Sequence, residues 1–189
     1  RRCRYQEEGN FIQELYEIDV RGKEKYQEVL FSRSGGLRKS VGRDPVKIEK
    51  DFSMGTQKAV KAAYRITGGG EKRRTNFGIE FNINFLAGDA PDRYYSIPGH
   101  LLEDRKLASI GELADVSEVQ LLDEWVGLKA VLKTDRNCNL WRFPIETVSL
   151  SESGFERIFQ GSCLLLFWPV DLEPGGEFGV TIKLGIEHL

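Results

Sequence analysis

The chain has 189 residues, 30% of them charged and 11% aromatic, with a formal net charge of −2. Such a composition supplies a packed core and excludes an intrinsically disordered chain. Acids and bases are interspersed, which argues against a nucleic-acid or anionic-membrane partner, since both need a basic excess on one face.

No apolar run approaches the roughly 20 residues of a membrane-spanning helix, and the longest, CLLLFW at 163–168, has strand length. Cys3, Cys138 and Cys163 are too scattered for a disulfide framework or a zinc-ribbon spacing. Reduced, buried thiols in a cytoplasmic protein are expected. A secretory signal is not expected. It opens on Arg1-Arg2 without an initiator methionine, and is read as a piece of a longer polypeptide.

In chain order, residues 11–20 (FIQELYEIDV) form the first strand candidate and residues 27–31 a second. Residues 32–43, rich in Gly, Ser and Arg, read as a loop. Residues 46–52 alternate, with Val46, Ile48 and Phe52 against Lys47, Glu49 and Asp51. Residues 58–67 alternate cleanly, with Val60, Ala62, Tyr64 and Ile66 inward. After Gly68-Gly69-Gly70, residues 76–86 put Phe77, Ile79, Phe81, Ile83 and Phe85 on one face and Glu80, Asn82 and Asn84 on the other. An antiparallel hairpin across residues 68–75 is expected.

Residues 87–99 (AGDAPDRYYSIPG) read as a turn-rich loop, and residues 100–106 as a short helix. Strands follow at 116–122 and 125–134, then a turn at 135–139. Residues 155–168 hold one or two strands, the second buried on both faces, and residues 169–176 a Pro/Gly turn. Phe178, Val180, Ile182, Leu184 and Ile186 mark the last strand. About ten short-spaced strands with minimal helix define an all-β, antiparallel double sheet or barrel with one solvated face.

The stretch LWRFPIETVS (140–149) is the most distinctive. Period two places Trp141, Phe143 and Ile145 on an apolar, core-facing side, and Arg142, Pro144 and Glu146 on the other. Together with ESGFERIFQGS (152–162), NFLAGDAPDRYY (84–95) and DEWVG (123–127), it resembles the carboxy-terminal domain of glycoside hydrolase family 57 α-amylases and 4-α-glucanotransferases. The resemblance runs from about residue 55 to residue 184, and residues before it match weakly. It implies a β-sandwich of the galactose-mutarotase-like supersandwich kind, one domain over residues 1–189. It also implies a partner, the catalytic barrel of the same polypeptide, on which the two carboxylates of a retaining glycosidase are carried. This chain is then a non-catalytic domain of an α-1,4-glucan-processing enzyme, with no cofactor and no metal.

Three constellations bear on function. Glu80, Asn82 and Asn84 on one strand, with Arg142 and Glu146 on another, would make a sugar-binding face if the strands share a sheet, with Trp125 or Trp168 stacking on the sugar. The alternative is a half-buried polar layer with the tryptophans in the core. The loop GDAPDRYY offers Asp89, Asp92, Arg93, Tyr94 and Tyr95 for glucan or for docking on the barrel, or as a self-bonded turn. A free-standing mutarotase-like enzyme would need a Glu and a His convergent on a sugar ring, and only His100 and His188 are available. A purely structural sandwich is the third reading.

Overall fold

The computed structural model describes residues 8–23, 26–55, 59–151 and 154–189. Among these residues every regular element is a strand. The chain divides into two compact units: residues 1–75 with 169–181, and residues 76–168 with 182–189.

The first unit holds β1 (Glu17–Lys23), β2 (Tyr26–Arg38), β3 (Arg43–Met54) and β4 (Ala59–Thr67), followed in hydrogen-bonding order by β10 (Glu177–His188). The β1–β2, β2–β3 and β3–β4 pairs are antiparallel. Val46 and Ile48 of β3 and Ala62 and Ile66 of β4 are buried on one face, in the predicted phase. Phe31, Phe52 and Tyr64 extend that face as edge-to-face pairs 5.8 and 6.0 Å apart.

Two expectations fail here for one reason. Residues 32–38 belong to β2, not to a loop, and β1 begins at Glu17 rather than residue 11. The Asn10–Phe11 segment lies on the β2 glycines: a Cβ at Gly35 would stand 2.6 Å from the Phe11 ring, and Gly36 N donates to Asn10 Oδ1 at 2.8 Å. The glycines mark a close approach within a strand, not a turn.

The Gly68–Gly70 stretch, in the connection between β4 and β5, also lies under a close approach. Gly68 N donates to Gly176 O at 2.8 Å, and Gly70 N to Asp44 Oδ1 at 3.1 Å. A Cβ on Gly69 would meet the Pro45 carbonyl oxygen at 1.8 Å. The predicted β4–β5 hairpin does not form: β4 pairs with β3 and β10, and β5 (Arg73–Ile83) pairs with β9.

The second unit holds most of β5, then β6 (Arg93–Ser96), β7 (Gly111–Asp123), β8 (Leu128–Ser151), most of β9 (Gly154–Leu172) and the later part of β10. The order is β10-β8-β7-β6, with β9 joining β8 to β5. Its core includes Val119, Leu121, Leu132, Leu140, Leu164, Leu166 and Ile182, each exposed by 2% or less. Phe77 stacks on Trp168 within it at 6.3 Å. Alternation along β5 is as predicted, with Ile79 buried and Glu80 and Asn82 exposed, although the strand spans Arg73–Ile83 rather than residues 76–86 and leaves the exposed Asn84 beyond its end.

Elsewhere in this unit the structure corrects the sequence reading. Residues 93–96, assigned to a loop, form β6, and residues 100–105, read as a short helix, are irregular. Residues 135–139 do not end a strand: β8 runs through them for 24 residues. The ladder to β7 absorbs the extra residues as register shifts, from Leu113–Leu140 to Val116–Cys138 and then to Glu118–Lys133. A bulge inserts residues without ending the pairing, which a composition signal cannot distinguish from a turn. Trp125, assigned to the start of a strand, lies in the β7–β8 turn closed by Gly127 at φ 74°.

Candidate functional site

The distinctive stretch on β8 has the opposite phase to the one its own residues suggest. Arg142 is buried at 5% exposure and Trp141 is 47% exposed. Upstream neighbours set the phase: Cys138 and Leu140 are buried, while Asn139 is half-buried. Even positions face the core there, and Arg142 follows them. Trp141 is therefore not a core residue, and Arg142 is not part of a solvated polar face.

The buried arginine holds a loop. Its Nη1 donates to Ser109 Oγ, its Nη2 donates to Asp104 O at 3.0 Å, and the guanidinium sits 5.0 Å from the Tyr95 ring centre. A Cβ at Gly111, its register partner on β7, would come within 2.9 Å of Nη2. Burial disfavours the charged guanidinium and lowers its pKa. Tyr95 is fully buried, donates to Leu107 O at 3.4 Å, and has its phenol pushed up to about 12 by burial.

The other proposed residues distribute as follows. Glu80 and Asn82 stand together on the exposed side of β5, Asn82 Nδ2 donating to Glu80 Oε1 at 2.8 Å. Asn84 is exposed beyond the strand end. Arg93 is held between Asp92 at 3.0 Å and the buried Asp123 at 3.1 Å. Asp123 also accepts from Val126 N at 3.0 Å, so this ion pair fixes the turn that presents Trp125, 79% exposed. Tyr94 donates to Glu124 Oε1 at 2.6 Å, and Arg105 covers its ring at 4.0 Å. Glu146 is exposed and pairs with Arg157 at 3.3 Å. Trp168, offered as a stacking residue, is core at 3% exposure, and its indole donates to Arg136 O at 3.3 Å. His100 lies with Nδ1 3.2 Å from Pro98 O and Nε2 2.9 Å from Ala114 O, both ring nitrogens engaged by backbone carbonyls.

An open groove of about 480 Å³ crosses the face that Trp141 occupies, lined by Glu112, Leu113, Ala114, Asn139, Trp141 and Phe167. Trp141 pairs with Glu112 on β7 and with Leu165 on β9. Directly paired residues point the same way, so these side chains share a face. A Cβ at Gly78 would touch Leu165 at 3.4 Å. Gly78, Glu80 and Asn82 of β5 therefore belong to that same exposed face. Trp141 braces edge-on against Phe167, with ring centres 5.2 Å apart. Sequence reasoning passed over Glu112 and Asn139 and assigned Trp141 to the core. The signal was present in residues 137–142, where Asn, Asn and Trp alternate with Cys, Leu and Arg.

Fold and groove together define an antiparallel β-sandwich domain with a wet aromatic face. A family model described as "Alpha-amylase/4-alpha-glucanotransferase, C-terminal" matches residues 1–182. The chain belongs to that family of carboxy-terminal domains. Alpha-amylase 1 of Dictyoglomus thermophilum is 40% identical over 119 residues, which are 59% of this chain and 16% of the relative. The crystal structure of 4-alpha-glucanotransferase from Thermococcus litoralis superposes with a TM-score of 0.70 at 24% identity, covering 98% of this chain and 24% of that one. This chain thus spans a quarter or less of the enzymes it matches. An aldose epimerase homologue from C. elegans shares the fold, with a TM-score of 0.61 at 11% identity over 92% of this chain and 69% of that one.

Proposed function

We propose that this chain is the non-catalytic carboxy-terminal domain of an α-1,4-glucan-processing enzyme of the glycoside hydrolase family 57 kind. It packs on the catalytic barrel of the same polypeptide and holds the glucan chain on the exposed sheet face of its second unit. The observation that carries this reading is that face itself. Glu80, Asn82, Glu112, Asn139 and Trp141 present carboxylates, amides and an aromatic ring to solvent together. Carboxylates and amides accept and donate to paired hydroxyls, and an indole offers its face to the apolar C–H side of a pyranose. Membership of a family named for α-amylase and 4-α-glucanotransferase supports the choice of glucan. The free, buried Cys138 and Cys163 support a reducing, cytoplasmic setting.

The test combines activity and retention. Incubated with maltoheptaose, the 189-residue chain is expected to release no reducing ends and form no transfer products. In a native gel containing glycogen or soluble amylose, it is expected to migrate more slowly than in a plain gel. Cleavage by the chain alone would remove the non-catalytic assignment. Unretarded migration would remove the glucan-holding role.

A further inference from the structure

The groove between β7, β8 and β9 has features that a plain solvated sheet face lacks. At its floor β7 carries two residues, Ala114 and Asp115, opposite the single Asn139 of β8, since the ladder shifts from Leu113–Leu140 to Val116–Cys138. Asp115 adopts the left-handed region at φ 57°, which a non-glycine residue enters only at a cost. Bulges re-aim side chains and recur beside ligand sites. The Ala114 carbonyl is engaged by His100 Nε2 at 2.9 Å, so the bulge is tied to the loop beyond the strand.

Around the bulge, three chemistries converge. Trp141 supplies a flat ring that meets Phe167 edge-on, 5.2 Å away at 69°. Asn139, two residues earlier on the same face, supplies both a donor and an acceptor in one plane. Glu112, the cross-strand partner of Trp141, supplies a carboxylate at the ring's side. A half-exposed indole held in one orientation loses little freedom when a ligand stacks on it. The volume of about 480 Å³ falls within the range of small-ligand sites.

We infer that this groove is a subsite for a glucosyl unit of the α-1,4-glucan chain, with Trp141 as the stacking platform and Asn139 and Glu112 as the hydroxyl partners. The inference rests on the glucan-holding reading above and narrows it to the groove at the β7 bulge, with a separate role for each of three residues. Glu80 and Asn82, on the same face across β9, continue the polar track along which a neighbouring glucosyl unit runs.

The experiment is titration of the 189-residue chain with maltoheptaose, followed by calorimetry and by ¹H–¹⁵N correlation spectra. The expected result is binding, with shift changes concentrated at residues 112–115, 139–141 and the Trp141 indole N–H. Trp141→Ala should weaken binding about tenfold or more, as loss of a central aromatic anchor does, while Trp141→Phe retains part of it. Both variants alter a half-exposed side chain, and their spectra report whether the fold is kept. Unchanged affinity in Trp141→Ala, with shifts mapping to the Trp125 turn or elsewhere, would overturn the groove while leaving the glucan reading standing. No binding by the wild-type chain would overturn both.

Discussion

Arg142 shows how one side chain can be mistaken for a ligand group. In sequence it is a cation between two large apolar residues, and charge suggests solvent. In the fold it fastens the 104–109 loop to the sheet through Ser109 and the Asp104 carbonyl. Truncation would leave the buried Ser109 hydroxyl without its donor, at roughly 1–3 kcal/mol, and empty the space under the loop, while Asp104 O keeps Ser109 Oγ at 3.2 Å. Arg142→Ala is therefore expected to lower stability by roughly 2–4 kcal/mol in urea unfolding. Glucan affinity, measured where the variant is still folded, should stay close to wild type. A wild-type unfolding midpoint would show that the loop is anchored by other contacts.

The buried titratable groups make a separate statement about pH. Burial pushes the Cys138 thiol up to about 12, the Cys163 thiol to about 11 and the Tyr95 phenol to about 12. Their unfolded values lie near ~8.5 for thiols and ~10 for tyrosine. The native state thus keeps protons that the unfolded state gives up. The stability these groups confer is complete below about pH 8.5 and is lost as pH rises towards 12. Urea midpoints measured at pH 8 and pH 10.5 should fall with pH, and the fall should be shallower in Cys138→Ala. A slope unaltered by that substitution would rule out the thiol as a contributor.

At the scale of elements, legibility followed the strength of the alternation. Strand β5 repeats its pattern over five periods, and its exposed set was correctly assigned. Strand β8 was misread because a ten-residue window begins inside it, and its two faces each carry one large or charged exception. The phase is set by Cys138 and Leu140, just upstream of the large aromatic that attracts the eye. Glycine clusters misled in a different way. Gly35 lies within a strand, and Gly68-Gly69 in the connection after β4; at each, another segment passes too close for a side chain. Two adjacent substitutions separate these meanings. Gly69→Ala forces a Cβ onto the Pro45 carbonyl and should cost about 1–3 kcal/mol or more. Gly70→Ala meets only Asp44 Oδ1, at an ordinary 3.6 Å, and should change stability by less than about 0.5 kcal/mol in the same thermal or urea assay. Equal effects would mean that the segment shifts freely and the close approach is incidental.

For the molecule as a whole, the all-β class was legible and the pairing order was not. Period-two patterns say which side of a strand is apolar, but not which other strand lies beside it. The natural guess joins neighbours in sequence, and β4–β5 was assigned on that ground, whereas β4 lies beside β10 and β5 beside β9. The residues that resemble a known family were informative for a different reason. They include the loop-fixing Arg142, the Arg93–Asp123 pair and the exposed Trp125, which together specify one way of arranging the second unit.

Strand β10 is divided between the units, Glu177–Thr181 in one and Ile182–His188 in the other. On a ribosome residues emerge in sequence order, and domains generally fold as their segments become available. Both units include residues of β10, which follows every other strand in sequence. Strand β4 waits for its neighbour, and β8 waits for the partner of its Leu128–Thr134 segment, until the same strand has cleared the exit tunnel. Synthesis through β10 thus precedes completion of either unit. The nascent protein carries open strand edges through that interval, a stage at which chaperone shielding matters more than for a domain that folds as it is made.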